Sequence, residues 1–420
     1  MSSILRMCVL SFVFLMTLAS CGGDEQVAEG GIGGTGISSG PINGFGSIIV
    51  NGIRFDVSQA QILMGGVEST EGDLRHGMVV AVYGDIDESN NTGVATKVVY
   101  NTSVRGQIES IDEGSQQFVI MGQRVSVDDL TVFDGLNVEA ITQGMNISVS
   151  GISNADNDLL ASYISSLATK TDESGAVADV DGELGSPISN APAIDSETLA
   201  EPELATPGNK ISLNGLITAE TSSNRFNIRG VVVEVNEETV YQNGDVHSIV
   251  LNGNVLVTGN VSNDGVVIAT EVKFRSAQLV RVAAQVDAVS QSAVTLAGRI
   301  NAEVSTSTLM LDSSAAALRA FSLQAVSVGD HLIVYGYQSS DGVVLARLER
   351  VDSLEQQSIS GPVASVSGQP VFDVLGVTVD TSLMSANADL FVQLTVDDWV
   401  DVAGDLNGSV LAADNVVIRQ

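Results

Sequence analysis

Residues able to hold a hard cation recur in five short turns: Asp87-Glu-Ser-Asn-Asn-Thr-Gly93, Asn154-Ala-Asp-Asn-Asp158, Ser262-Asn-Asp-Gly265, Ser339-Ser-Asp-Gly342 and Asp405-Leu-Asn-Gly408. Calcium takes several oxygen ligands, and Asp87, Asn90, Asp156 and Asp158 are the side chains best spaced to supply them. None of these turns has the spaced acidic pattern ending in glutamate. Asp, Asn and Gly are also what tight hairpins require, because they tolerate positive φ. Hairpin chemistry outweighs calcium ligation, and no metal or other cofactor is expected.

Other reactive side chains are sparse. The three histidines, His76, His247 and His331, occupy different places relative to the glycines beside them, so a shared metal site is not expected. The acid pairs Asp128-Asp129, Glu237-Glu238 and Asp397-Asp398 sit at strand ends, where adjacent residues point to opposite faces, so spacing alone makes no acid/base dyad. No His-Glu-x-x-His occurs. The expectation is a protein that is not an enzyme, with a hydrolase of unrecognised site as the remaining alternative.

One residue does carry a covalent reading. Met1 to Met7 hold one positive charge, Arg6; Cys8 to Ala19 are almost wholly apolar; Leu18-Ala19-Ser20-Cys21 then closes the run. A charged start, a short apolar core and a small-residue exit make a secretion signal, too short to remain as a membrane helix. The segment resembles bacterial lipoprotein signal peptides. That resemblance implies cleavage before Cys21, diacylglycerol on its thiol and acylation of its new amine, enough chains for stable anchoring. The partner implied is a membrane, reached through the N-terminal lipid. Gly22 and Gly23 follow, without Asp, and by resemblance to Gram-negative sorting rules this implies the outer membrane, at its periplasmic face or the cell surface. Cys8 departs with the signal and Cys21 is consumed by lipid, so disulfides, zinc–thiolate sites and cysteine nucleophiles are excluded.

Composition narrows the rest. Lys and Arg number 18 against 51 Asp and Glu, a net charge of −33, and such a field repels nucleic acid. Hydrophobic residues make up 44%, which argues against global disorder. Past Cys21 no stretch is long and apolar enough to cross a membrane. Gly22 to Gly40 is Gly- and Ser-rich and reads as a tether; without a preceding strand or a Gly-Lys-Ser/Thr it is not a nucleotide loop.

The elements that must position any site come from repetition. A strand ending in glycine recurs as Gly77 to Gly84, Gly144 to Gly151, Gly253 to Gly259, Gly329 to Gly336 and Asp397 to Gly404. The closing glycines are 67, 108, 77 and 68 residues apart, and the long gap contains an insertion from Ala168 to Lys210. Each repeat has an opening strand, a second and third joined by a glycine turn, the marker strand and a last strand. Period-two alternation with Gly, Asn and Asp punctuation predicts half-buried antiparallel strands. The expected class is all-β: tandem small five-stranded antiparallel barrels of the oligonucleotide/oligosaccharide-binding type, with β-sandwich modules as the alternative. Asp312 to Leu323 is expected to add a short helix, capped by Asp312 or Ser313.

The predicted organisation is a signal peptide over 1–20, a tether over 21–40 and modules over 41–103 and 104–167. A linker over 168–210 then precedes modules over 211–279, 280–355 (the divergent copy) and 356–420. Between Thr171 and Gly208 lie nine acidic residues and no basic one, with four of the chain's seven prolines in the insertion. Such a segment is expected to be disordered and to hinge two arms. The opening Ser39-Gly-Pro-Ile-Asn-Gly-Phe-Gly-Ser-Ile-Ile-Val-Asn-Gly-Ile-Arg-Phe-Asp56 resembles the domain-of-unknown-function family numbered 5666, which implies tandem copies in bacterial lipoproteins and secreted proteins but no catalytic residues. The expected role is a lipid-anchored envelope scaffold or binding array, meeting an envelope protein or a glycan. The alternative is carbohydrate or small-ligand binding on the barrel faces, with aromatic residues at 4% and Trp399 the sole tryptophan.

Overall fold

The structure, a computed structural model, describes residues 35–112, 116–167, 169–171, 177–179, 207–222, 224–275, 278–339, 342–384 and 387–419. The signal segment with Cys21 lies outside these. Among the described residues no helix is long and apolar enough to cross a membrane.

Alternating side chains close into barrels. In the first barrel, Thr35–Gly44 pairs with Ile48–Val50, which pairs with Ile53–Asp56; that strand meets Thr92–Tyr100 in parallel, and Val79–Asp87 returns to the first strand. The ring order is 1-2-3-5-4, closing on strand one. The second barrel repeats it with Val104–Asp112, Gln117–Ile120, Gln123–Ser126, Asn146–Ser153 and Leu159–Ser166. The third uses Lys210–Ser222, Arg225–Ile228, Val231–Glu234, Asn254–Val261 and Val267–Arg275. The fourth uses Val280–Val289, Ala293–Leu296, Ile300–Glu303, His331–Ser339 and Gly342–Val351. The fifth uses Gln357–Gly368, Val371–Val374, Val377–Asp380, Trp399–Asn407 and Val410–Arg419. Five-stranded barrels, not sandwiches, are therefore the repeat, and closure removes the free edges that an open sheet would expose. The third and fifth strands run parallel, so the ladder is not wholly antiparallel.

The recurrent glycine has a steric cause. Each marker strand slips register by one residue at that glycine, against the last strand. A Cβ there would lie 2.0 Å from the Val94 carbonyl oxygen at Gly84 and 2.3 Å from that of Leu160 at Gly151. The distances are 2.3 Å at Gly259, 2.5 Å at Gly336 and 2.0 Å at Gly404. No side chain fits the bulge, which bends the strand to keep it on the barrel wall.

Inside, Phe118, Phe226 and Phe372 occupy the second strands of three barrels and are buried. Burying each contributes roughly 2–3 kcal/mol. Barrels one, two and three have separate cores, whereas barrels four and five share one. Thr131, Thr239 and Thr308 pin the loop after strand three: each hydroxyl donates to a fifth-strand carbonyl, of Ala161, Ala269 and Leu345, at 2.8 to 2.9 Å.

Several expectations are corrected. The tether ends earlier than Gly40, because Thr35–Gly44 is already the first barrel strand. Asp312 to Leu323 forms no α-helix: Leu309–Asp312 is a short strand and only Leu323–Ala325 makes a 3-10 turn. Asp312 instead meets Arg350 Nη2 at 2.6 Å and accepts from the Leu318 N–H at 2.9 Å, satisfying the loop without helical bonds. In barrels one to four, a sixth short strand in this connection joins strand five in parallel. The fifth barrel has the helix Asn387–Gln393 there. Within the expected disordered linker, Thr169–Thr171 pairs with Val177–Asp179 and Lys210 opens a strand; the rest lies outside the described residues.

The barrels do not form two separate arms. Gly36 to Ser39 of barrel one pair in parallel with Lys210 to Leu213 of barrel three, and Ile37 packs into the third core. Arg281 to Ala283 of barrel four pair with Ser358 to Ser360 of barrel five. Barrel four reaches barrel two through Arg347, whose Nη1 donates to the Asp129 carbonyl at 2.8 Å. It reaches barrel one through Arg319, which lies 4.0 Å over the Phe45 ring. Residues 34–420 form one compact unit.

Candidate functional site

Where barrels one to four meet, a partly enclosed cavity of about 240 Å³ remains. At ~30 Å³ per water it has room for about eight waters, and it is smaller than the usual site for a drug-sized ligand. Its walls bring together Asn43 of barrel one, Asp128 of barrel two, Asn214, Lys273 and Arg275 of barrel three, and Tyr337 of barrel four.

Local structure explains each position. Asn43 and Asn214 precede the glycines that open their repeats, at matching places in the two first strands. They are 6% and 1% exposed, and the Oδ1 atom of each has no hydrogen-bond partner among the described residues. Asn214 Nδ2 is turned to the Val255 carbonyl at 3.3 Å. Lys273 and Arg275 alternate with Phe274 on the last strand of barrel three; Phe274 enters the core, so both cations share the outer face. Tyr337 follows the bulge at Gly336.

Asp128 begins the loop that Thr131 pins. Its Oδ1 accepts from the Leu130 N–H at 3.0 Å, and its N–H donates to Thr131 Oγ1 at 3.0 Å. Asn236 and Ser305 build the same turn in barrels three and four without a charge. The Asp128 charge is therefore not needed for the turn. Asp128 is exposed where it lines the cavity.

The electrostatics follow from this packing. Burial pushes the Asp128 carboxyl up, against the pull of its Leu130 and Thr131 hydrogen bonds. Burial pushes Lys273 down, and neighbouring Arg275 adds to it. Burial also raises the Tyr337 phenol, with Arg275 opposing and Asp128 reinforcing the rise. Lys273 and Arg275 have no ion pair among the described residues. The cavity thus holds two cations and one acid, a locally positive spot in a chain of net charge −33.

The positions singled out in the sequence lie elsewhere. Asp87 is satisfied within its own hairpin, accepting from the Ser89 N–H at 3.0 Å and from Asn90 Nδ2 at 2.8 Å. Asp158 meets Arg124 at 3.1 Å, and the Asp156 N–H donates to Asn154 Oδ1 at 2.9 Å. His76 lies edge-on to Phe45 at 4.7 Å, His247 is in a 3-10 turn and His331 opens a strand. Among the described residues no three His, Cys, Asp or Glu come together as a metal site. Trp399 packs against the shared core of barrels four and five.

These barrels carry the family assignment. Its model matches residues 36–99, 105–165, 214–273, 284–348 and 360–416, one span to each barrel. The chain belongs to the family described as Domain of unknown function (DUF5666). Barrel four, whose opening departs most from the others in sequence, is matched like the rest. None of the curated proteins matches the chain.

Two signals were missed in the sequence. Matching the repeats by the pairing of each last strand on its marker strand sets Lys273 opposite Val99, Ser165, Glu349 and Val417, which marks a cation peculiar to barrel three. Gly36-Ile-Ser-Ser-Gly40 also spells the Gly-x-Ser-x-Gly pattern of hydrolase nucleophiles. It sits on an extended strand, however, rather than a strand-to-helix elbow, and Ser38 is fully buried with its Oγ accepting from Asn51 Nδ2 at 3.2 Å.

Proposed function

We propose that this chain is a non-enzymatic, lipid-anchored protein of the outer membrane whose five barrels act as one rigid binding body. The observation that carries the reading is the direct strand pairing between barrels, of Gly36 to Ser39 with Lys210 to Leu213 and of Arg281 to Ala283 with Ser358 to Ser360. Barrels joined through their walls keep fixed spacing, as a scaffold requires, whereas flexibly strung modules would not. The non-enzymatic part draws support from the perturbed groups. His76 and Arg229 are shifted by burial and Asp312 is held by its Arg350 ion pair, each in a separate place, and only Asp128, Lys273 and Tyr337 converge, at the cavity. The anchor rests on the sequence around Cys21, and the membrane assignment on Gly22 and Gly23.

Metabolic labelling with a palmitate analogue tests the anchor. Wild type is expected to be labelled and Cys21→Ser not; labelling of both overturns it. Fractionation of labelled cells is expected to place the protein in outer membrane, and recovery in purified inner membrane overturns that assignment.

A further inference from the structure

We propose that the first strand of barrel two is a dimerisation edge, which pairs antiparallel with the same strand of a second copy of this chain about a two-fold axis at Val104. This rests on the reading that barrels join through their walls, and extends it from joints within one chain to a joint between chains. The starting point is an exception among the five repeats. Ser38, Val104, Leu213, Val282 and Ile359 are equivalent first-strand residues, each opposite the valine two places before its marker glycine: Val82, Val149, Val257, Val334 and Val402. In four barrels the strand around this residue also pairs with the first strand of another barrel, one with three and four with five. Among the described residues Val104–Asp112 pairs only with the second and fourth strands of its own barrel. Burial follows the pairing. Ser38, Leu213, Val282 and Ile359 are buried, whereas Val104 is half-buried and Arg105 beside it is exposed. A strand edge left in this way is a template for another strand.

A second position marks the same edge. Asn51, Met121, Arg229 and Leu375 each begin the glycine turn between strands two and three, and each lies against a first-strand glycine, Gly40, Gly106, Gly215 or Gly361. Three of them serve the joints. Asn51 Nδ2 donates to the Ser212 carbonyl, Arg229 Nη1 donates to Ser39 Oγ, and Leu375 packs against the core that barrels four and five share. Met121 is 61% exposed instead. Its φ is 52°, where asparagine or glycine would serve the turn better. A flexible thioether held there suits an apolar partner surface.

The joint between barrels four and five supplies the register. There Val282 pairs with Ile359, Arg281 with Ser360 and Ala283 with Ser358, so equivalent residues meet at the centre and the flanks exchange. That is the symmetry of an isologous contact, in which one edge is complementary to itself. Applied to barrel two, it sets Val104 against Val104 and Ser103 against Arg105 on both sides. The joint between barrels one and three is offset, with Ser38 paired to Ser212 rather than to Leu213. Two identical edges in that register would be inequivalent, and the contact would not close on itself. Ser103 already donates its N–H to the Val149 carbonyl at 2.9 Å. The ladder between copies is therefore short, and apolar contact by Val104 and Met121 carries the association.

Sedimentation equilibrium of the chain from Gly22 onward, over about 1 to 200 µM in about 0.15 M salt, tests this. A monomer–dimer equilibrium with a Kd on the order of 10 µM is expected, tightening with salt because both copies are strongly acidic. At about 1 µM the monomer predominates, so melts at that concentration read the barrels alone. Met121→Asp, a residue type that tolerates the turn, is expected to weaken dimerisation by at least about tenfold. Val67→Asp, at a 49% exposed valine of barrel one, is expected to leave it unchanged. The chain from Gly22 onward contains no cysteine, so Val104→Cys places a single thiol on the two-fold axis, and mild oxidation is expected to link two copies through it. Unchanged circular dichroism verifies folding, and the unsubstituted chain decides the matter even if a variant unfolds. A chain still monomeric at about 200 µM overturns the proposal. So does a dimer that Met121→Asp leaves intact, that Val67→Asp weakens equally, or that Val104→Cys does not trap. A monomer that sediments as one compact body leaves the scaffold reading intact; barrels that separate in solution remove both.

Discussion

Asn51 Nδ2 donates to the Ser212 carbonyl at 3.0 Å, bridging barrels one and three across 161 residues of sequence. The same amide donates to the Ser39 carbonyl at 3.0 Å, so one side chain sits astride both strands of the parallel inter-barrel ladder. Asn51 has φ of 55° in the Asn-Gly turn between the second and third strands, a conformation asparagine tolerates. Asn51→Gly keeps the turn and removes the bridge. It is expected to lower stability by about 2 kcal/mol, the cost of leaving buried carbonyls without their donor. Met121→Gly, at the same turn of barrel two where Met121 is 61% exposed, is expected to change it by less than about 0.5 kcal/mol. Denaturant melts of the two variants check the contrast.

The bridge also changes what proteolysis should yield. Residues 172–206 contain no Lys or Arg, so a Glu-specific protease is the appropriate probe. Cleavage there is expected to give two pieces that still co-elute under native conditions and part only in denaturant. The joint is held by the parallel ladder, the Asn51 bonds, Arg229 Nη1 to Ser39 Oγ at 2.7 Å and Lys210 to Glu88 at 3.2 Å. Native elution as two separate peaks would refute it.

The bulge glycines give a sharper test of fold. Gly84→Ala places a methyl 2.0 Å from the Val94 carbonyl oxygen, and backbone cannot yield as a flexible side chain would. A loss of about 3 kcal/mol is expected, near the upper end of single substitutions. At Gly65, φ is 58° and no atom lies within 4 Å of the new Cβ. Gly65→Ala therefore carries only the left-handed backbone strain, about 1–2 kcal/mol. Equal melting points for the two variants would contradict the steric account.

Much of this fold was legible because each barrel is a local event. Alternating residues such as Ile53 to Asp56 and the recurrent glycines are short-range signals, and they specify strands and bulges whatever lies around them. The inter-barrel ladder was hidden because Ile37 and Ile211 pair by their backbones, which have no side-chain signature. The tether reading failed for the same reason. Thr35 to Gly40 has the small-residue composition of a spacer, yet Ser38, Ser39 and Gly40 are small because barrel three lies against them. The cavity was hidden more deeply. Asn43, Asp128, Lys273 and Tyr337 come from four repeats and converge only when the barrels pack. The helix expected from Asp312 to Leu323 was lost to tertiary demand, since Arg319 in that segment extends to barrel one.

Burial of His76, with that same arginine beside it, makes stability depend on pH. Arg319 Nη2 donates to the Leu74 carbonyl at 3.2 Å and covers Phe45, whose edge contact holds His76. Burial pushes the His76 imidazole from its ordinary 6.5 down to about 4, with repulsion from Arg319 adding to it. The folded protein thus keeps His76 neutral at pH values where the unfolded chain protonates it. The unfolded state then binds the extra proton, so stability falls as pH drops from 6.5 towards 4 and is flat on either side for this group. The loss is about 3 kcal/mol at most, at roughly 1.4 kcal/mol per pH unit. Denaturant melts at pH 7 and pH 4 are expected to differ by this much more in wild type than in His76→Phe. Proton NMR of the imidazole resonances reads the group directly. Arg319→Gln should move the His76 midpoint upward from about 4. A wild-type midpoint near 6.5 would show that the Phe45, His76 and Arg319 contact does not persist in solution.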